Sequence, residues 1–310
     1  MFATDMQNDT LRNRCVDHFT DFQNRVCAAF EALDGTGAFE HTPWEKTPED
    51  QLQGSGEMRV MRGGTVFEKV GVNFSHVYGE FSEEFAKNIP GAEEDRNFWA
   101  SGVSLVAHMQ SPLVPAVHMN IRRIETTKGW FGGGADLTPY YLFKEDARHF
   151  HEEMKQALDP HGSHYYPDFK KECDEYFVNH HRDGEMRGVG GIFYDYQEAR
   201  GDDWKDVLNM HLSASKAFLP AYIPIVERRK DHDYTSGHKE WQEIRRGRYV
   251  EFNLVHDRGT LFGLKTNGRT ESILMSLPPT VRWVYDHHPE HGTPEAELVA
   301  HLKPMDWVNS

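Results

Sequence analysis

The chain has 310 residues, 38% hydrophobic and 27% charged, with 26 glycines and 15 prolines. That balance belongs to an ordinary globular protein and excludes a disordered chain, a collagen and a coiled coil. The net charge of −15 argues against a nucleic-acid binder, which needs a basic surface to neutralise phosphates, and against electrostatic docking on an anionic membrane. The 19 histidines point toward metal binding or proton transfer. Apolar runs such as 104–109 and 113–119 are too short to span a membrane, and the first residues show no apolar core behind a basic stretch. Cys15, Cys27 and Cys173 form no CxxC pair, so a reducing, cytoplasmic setting without disulfides is expected.

The first element is an amphipathic helix over about Thr10–Leu33, because Leu11, Cys15, Phe19, Phe22, Val26, Phe30 and Leu33 recur at steps of three and four. A polar, proline-containing loop is expected from there to about Gly56. The period then changes to two, and Val70–Val77 reads as a strand. Phe98–Met109 and Ala116–Glu125 read as strands joined in an antiparallel hairpin through Ser111, Pro112 and Pro115. Trp130–Pro139, with three glycines, reads as a glycine-rich turn. Helical patterns cover Lys144–Leu158 and Pro167–Arg182, a strand covers Gly191–Tyr196, and a helix follows over about Asp203–Phe218. Arg248–His256 and Thr260–Leu264 read as a second hairpin around Asp257-Arg258-Gly259. A strand at Val281–Tyr285 and a helix at Pro294–Leu302 close the chain. Strands come as hairpins rather than as β-α-β units, and no repeat or flexible linker appears. The expected fold is therefore α+β, a single domain over residues 1–310 with an antiparallel sheet covered by helices.

Four groups of residues could carry chemistry. A strand alternates faces, so Ser104, Val106 and His108 share one face, as do His118, Asn120 and Arg122. A hairpin symmetric about Leu113 sets 108 opposite 118 and 104 opposite 122, which makes one polar patch, or simply a solvated face. In the next helices His151 lies in the apolar stripe of Ala147, Met154 and Leu158. Either His180 or His181 continues the stripe of Phe169, Cys173 and Phe177. Four imidazoles could hold zinc, iron, manganese or copper, although HExxH and CxxC are both absent and inward histidines are more often core residues. The glycines of 130–139 are followed by no Lys-Ser/Thr, and GxGxxG is absent, so phosphate-loop, nicotinamide and flavin binding have no fingerprint. Finally, Arg245, Arg246, Arg248, Arg258 and Arg269 cluster in an acidic chain, and arginine suits carboxylate or phosphate ligands.

Long stretches carry a family resemblance. They are Phe67-Glu68-Lys69 through Ser75, Trp130 to Pro139, Tyr165 to Lys171, Cys173 to Phe177, Arg187 to Gly191, Arg246 to Leu254 and Arg269 to Ser276. In these the sequence resembles the oxygen-dependent coproporphyrinogen III oxidases of haem biosynthesis. The resemblance implies oxidative decarboxylation of two propionates of coproporphyrinogen III to vinyl groups, with oxygen as co-substrate. It implies a large flat antiparallel sheet flanked by helices on both faces, and a homodimer joined through about 249–284. It carries over Ser104, Asn120, Ile121, Arg122, Asn267, Gly268 and Arg269 as substrate contacts. His108, His118, His151 and His181 carry over as ligands of a divalent cation, manganese first among the candidates, with His118 also a proton donor. Asp195 takes the role of accepting pyrrole N–H groups. The chain departs from the family pattern at Tyr196, where a second acid is usual, and at Asn267, where glycine is common. No flavin, nicotinamide, nucleic acid or membrane partner is expected. A metal-dependent hydrolase built on the histidines and a non-catalytic tetrapyrrole or metal carrier are the rival readings.

Overall fold

The computed structural model describes residues 2–50, 52–198, 204–265 and 268–310. The stripe read from the sequence is the buried face of a long helix, α1 (Phe2–Asp34), where Leu11, Cys15, Phe19, Phe22, Val26 and Phe30 are all at most 4% exposed. Burying one such side chain contributes about 1.5–3 kcal/mol, which anchors the helix on the sheet. The helix stops at Asp34. Its carboxylate accepts the backbone N–H groups of Gly37, Thr65, Val66 and Phe67 at 2.7, 3.1, 2.9 and 2.9 Å. Those four donors hold the acid well below the usual carboxylate range, against the opposing effect of burial. Asp34 thereby fastens the end of α1 to the turn between the second and third strands.

The strands are β1 (Glu40–Glu45), β2 (Leu52–Arg62), β3 (Phe67–Glu80), β4 (Asn97–Met109), β5 (Ala116–Glu125), β6 (Gly129–Thr138) and β9 (Gly190–Glu198). Among the described residues they form one seven-stranded antiparallel sheet in the order β1-β2-β3-β4-β5-β6-β9. A four-residue helix, α2 (Glu83–Ala86), lies between β3 and β4. One face of the sheet carries Val72, Val103, Leu105, Met119, Ile121 and Leu137 and packs in a single core with α1, α3 (Lys144–Leu158), α5 (Trp204–Lys216) and α6 (Phe218–Arg229). On the other face lie α7 (Ser236–Val255), α8 (Arg258–Lys265) and α9 (Thr270–Leu274), tied to the sheet by contacts described below. Between the layers, α4 (Tyr165–Tyr176) wraps the β9 edge, stacking Phe169 on Tyr194 on one side and Tyr176 on Phe193 on the other. A two-strand ribbon, β7 (Val178–Asn179) with β8 (Glu185–Met186), follows α4, and α10 (Pro294–Ala300) closes the chain. Trp307 near the C-terminus is 1% exposed and belongs to the same core. The α+β architecture, with helices on both faces of one antiparallel sheet, is thus as read from the sequence.

Several elements differ from expectation. The stretch before Gly56 holds β1 and β2, half-exposed strands with no buried stripe to reveal them. Trp130–Pro139 is not a turn: all of it but Pro139 lies in β6, an interior strand between β5 and β9. The hairpin at 248–264 is instead the end of α7 and the start of α8, because Asp257 Oδ2 accepts the N–H of Thr260 at 2.7 Å and caps a helix. The helix expected to reach Arg182 ends at Tyr176, where Phe177 leaves helical geometry at ψ 56°. Residues 281–285 are not a strand but a surface segment, with Tyr285 99% exposed. The helix α6, with Pro224 inside it, was not anticipated.

All three cysteines are free and buried. Burial pushes the thiols of Cys15 and Cys27 up to about 12 and that of Cys173 well above its ordinary value. Burial also pushes His108 down to about 3 and His151 down to about 4. Because the unfolded chain takes up these protons near pH 6.5, stability is complete above that pH and falls on acidification toward pH 4. His151→Gln is expected to flatten this fall by about 1.4 kcal/mol per pH unit, one proton's worth, in urea unfolding measured between pH 6 and 5.

Candidate active site

Register decides which side chains share the open face of the sheet. In the β4–β5 pair Ser104 lies opposite Asn120, Val106 opposite His118 and Gly102 opposite Arg122. The hairpin is therefore centred on Pro112 rather than Leu113. A slip of two residues keeps every side chain on its expected face, so the polar patch survives although the partners change. The rows continue across the sheet. Ser75, Gly102, Arg122 and Gly132 form one row; Asn73, Ser104, Asn120 and Gly134 form the next; Gly71, Val106, His118 and Asp136 form the third. Ser104, His118, Asn120 and Arg122 are each partly exposed on this face, whereas Ile121 is 0% exposed on the other. The expected Ile121 contact is corrected accordingly: its side chain belongs to the core, and only its backbone could reach a ligand.

The glycines of β6 have separate steric reasons. A Cβ on Gly132 would lie 2.7 Å from Asp195 Oδ1 and 2.8 Å from Arg122 Nη2, so this glycine makes room for that ion pair. A Cβ on Gly133 would meet the Tyr194 hydroxyl, and one on Gly134 the Ile192 carbonyl of the neighbouring strand. Asp195 is aimed by an irregularity in β9, where the register shifts between Phe131 and Gly133 and Tyr196 takes a left-handed backbone at φ 52°. Its carboxylate pairs with Arg122 Nη2 at 2.8 Å and accepts the Tyr196 N–H at 3.0 Å. Arg122 Nη1 donates to Asn120 Oδ1 at 2.7 Å. Tyr196 turns its ring to Trp130, 5.4 Å away.

Behind His118 stands a buried charge network. His118 Nδ1 donates to Asp136 Oδ1 at 2.8 Å, and Arg187 Nη2 donates to both Asp136 oxygens at 2.7 Å. Arg187 Nη1 donates to Asn253 Oδ1 on α7 at 2.9 Å. The guanidinium lies 4.1, 4.6 and 4.9 Å from the ring centres of Phe177, Tyr249 and Phe252, a cation–π cage that replaces lost water. Burial alone would raise Asp136, but the Arg187 charge and the His118 hydrogen bond hold it below the usual carboxylate range. With Nδ1 committed to a carboxylate, Nε2 is the nitrogen of this partly exposed histidine left for a ligand. A histidine so held suits transfer of a proton at Nε2. Asp136 and Arg187 were given no role by the sequence reading. Had 130–139 been read as a strand, Asp136 would have fallen opposite His118.

The other expected site residues divide. Gly268 and Arg269 stand at the start of α9, both exposed, with Arg269 as its cap residue. Asn267 lies outside the described residues. The four expected metal ligands are not brought together. His108 Nε2 donates to the Ser276 carbonyl at 2.8 Å. His151 uses both nitrogens inside the core, with the Tyr166 hydroxyl and the Val189 carbonyl, each at 3.0 Å. His181 sits in a surface turn against His256 at 2.7 Å and Glu251 at 2.9 Å. Among the described residues no group of three or more His, Cys, Asp or Glu side chains is arranged to hold a metal ion. The donor set therefore does not fit the divalent cation that the resemblance implies. Of the clustered arginines, Arg245 pairs with Glu185 and Arg246 with Glu68, both as structural ion pairs, and Arg248 pairs with Glu251.

Against known protein families, the model described as coproporphyrinogen III oxidase matches residues 14–307 of this chain.

Arg187→Met should leave the Asp136 carboxylate buried without its cation and lower stability by about 3–5 kcal/mol in urea unfolding. Adding Asp136→Leu should recover part of that loss, because the uncompensated charge is then gone.

Proposed function

The chain belongs to the coproporphyrinogen III oxidase family, and from that premise we propose that it catalyses the oxygen-dependent oxidation of coproporphyrinogen III to protoporphyrinogen IX. At each of two pyrroles a propionic acid side chain and one O₂ become a vinyl group, CO₂ and H₂O₂. The carbon–carboxyl bond breaks, one hydrogen leaves the β-carbon, and the two electrons released reduce oxygen to peroxide. The electron-rich porphyrinogen itself is the reductant.

The observation that carries this reading is the half-exposed strip holding Ser104, Asn120, Arg122, His118 and Asp195 on one face of adjoining strands. A tetracarboxylate with pyrrole N–H groups needs both signs of charge close together. Arg122 supplies a fork for a propionate carboxylate, with Ser104 and Asn120 as neutral hydrogen-bonding neighbours. Asp195 supplies an acceptor for pyrrole N–H. In the free protein Arg122 and Asp195 satisfy each other. Substrate brings an anion for one and a donor for the other, so the pair opens without leaving either charge unmatched. His118, oriented by Asp136, is the group for moving a proton at the reacting side chain. Arg269, at the head of α9, is a second cation for the remaining carboxylates. No step is assigned to a divalent cation.

The functional unit is a homodimer formed through 249–284, and its setting is the cytoplasm. Leu254, Val255, Trp283 and Val284 are large apolar side chains exposed in this stretch, Tyr285 just beyond it is 99% exposed, and exposed apolar side chains favour a protein interface. No helix of the described residues is long and apolar enough to cross a membrane.

Purified protein given coproporphyrinogen III in air is expected to yield a product with two fewer carboxylates, read by chromatography and mass spectrometry. No decarboxylation, with or without added manganese, would overturn the reading. His118→Asn should lower kcat by about 10²-fold or more with little change in KM. Light scattering should report a dimer for the wild type, and Trp283→Asp with Tyr285→Asp should shift it toward monomer; a wild-type monomer at micromolar concentration would contradict the assembly.

A further inference from the structure

We propose that the segment from Arg269 to Leu277 is pinned to the sheet by β3 and β4, around Gly71, and that this pinning sets where Arg269 stands for substrate. The proposal rests on the function given above. Three side chains of the sheet take carbonyls of the segment. Asn73 Nδ2 donates to the Ser272 carbonyl, His108 Nε2 to that of Ser276 and Lys69 Nζ to that of Leu277, each at 2.8 Å. Lys69 and His108 are register partners, and Gly71 and Asn73 follow on the same face of β3. Between these hydrogen bonds the Met275 side chain drops onto Gly71, where a Cβ would lie 1.7 Å from its Sδ. Met275 is 6% exposed as a result.

The segment cannot place itself. Its helix, α9, has five residues and buries none of them, and so short a helix has no independent stability. Its position is therefore dictated by what it rests on. Ile273 adds a lateral contact, since a Cβ on Gly263 or Gly268 would approach its Cδ1 to 2.8 or 3.1 Å. Arg269 is the cap residue of this helix, so moving Met275 off Gly71 moves the arginine with it. On this account Lys69, Asn73 and His108 are positioning residues, and His108 serves the site through Ser276 rather than as a metal ligand.

Gly71→Ala tests this, because it puts a methyl group where Met275 Sδ lies. KM for coproporphyrinogen III is expected to rise about tenfold, well beyond any fall in kcat. Binding of coproporphyrin III, the stable oxidised form, followed by its fluorescence, should weaken by a similar factor. Adding Met275→Ala should recover most of both losses, because the clash is gone. Unchanged KM and porphyrin affinity in Gly71→Ala, or a double variant no better than the single one, overturns the pinning. Should Gly71→Ala fail to fold, Asn73→Ala removes only the bond to Ser272. It should raise KM by about three- to tenfold, and an equal fall in kcat or no change overturns the proposal. Wild-type protein that neither binds coproporphyrin III nor turns over coproporphyrinogen III overturns the function itself; wild-type turnover with indifferent variants overturns only the pinning.

Discussion

The buried pair of Arg187 and Asp136 is the interaction on which the polar half of the molecule depends. Both side chains are at most 3% exposed, and neither could remain charged there without the other. The pair ties four pieces of chain together. Asp136 lies on β6, and His118, bonded to it, lies on β5. Arg187 follows the β7–β8 ribbon, and Asn253 belongs to α7. The aromatic cage of Phe177, Tyr249 and Phe252 draws in α7 and the end of α4. The layer above the sheet is thus located by the same charges that orient the histidine facing the site. Packing and chemistry are not separable here. A change that loosens α7 also releases Asp136, and a freed Asp136 no longer fixes which nitrogen of His118 is presented.

The sheet contributes a complementary constraint. Antiparallel register places Arg122, Gly132 and Ser75 in one row and His118, Asp136 and Gly71 in another, so the chemistry lies along the strands while access comes from the face. Glycine recurs in those rows wherever a larger residue's side chain has to lie flat over the sheet. Gly132 accommodates the Arg122–Asp195 pair, and Gly71 accommodates Met275. The positive charge is local. Arg122 is matched by Asp195, Arg246 by Glu68 and Arg245 by Glu185, so a chain of net charge −15 can still present a fork for a carboxylate.

Much of this was legible in the sequence, for identifiable reasons. The stripe of α1 and the alternation in β4 and β5 each have one buried face, and one buried face writes its period into the residues. The site face survived a wrong register because parity alone decides sides. By contrast β1 and β2 have no buried stripe, and β6 is buried throughout, so neither shows a period of two. The expected hairpin at 248–264 misread Asp257-Arg258-Gly259, whose aspartate caps a helix instead. Histidines gave the least reliable guide to chemistry. His151 lay on the inward stripe as read, yet both its nitrogens serve the core, while His181 fell outside any helix once α4 ended at Tyr176. Asp136 and Arg187 were hidden because their roles arise from pairing across strands and loops, which no local pattern records.

The buried cysteines bear on the proposed chemistry in a different way. Reaction with peroxide requires a thiolate that is also accessible. With their pKa pushed up to about 12 by burial, Cys15 and Cys27 stay protonated at neutral pH, and both lie in the core. Cys173, on α4, is 0% exposed, and burial raises its thiol well above the ordinary value. Peroxide formed by the proposed reaction would therefore meet thiols that are protonated and shielded by the core.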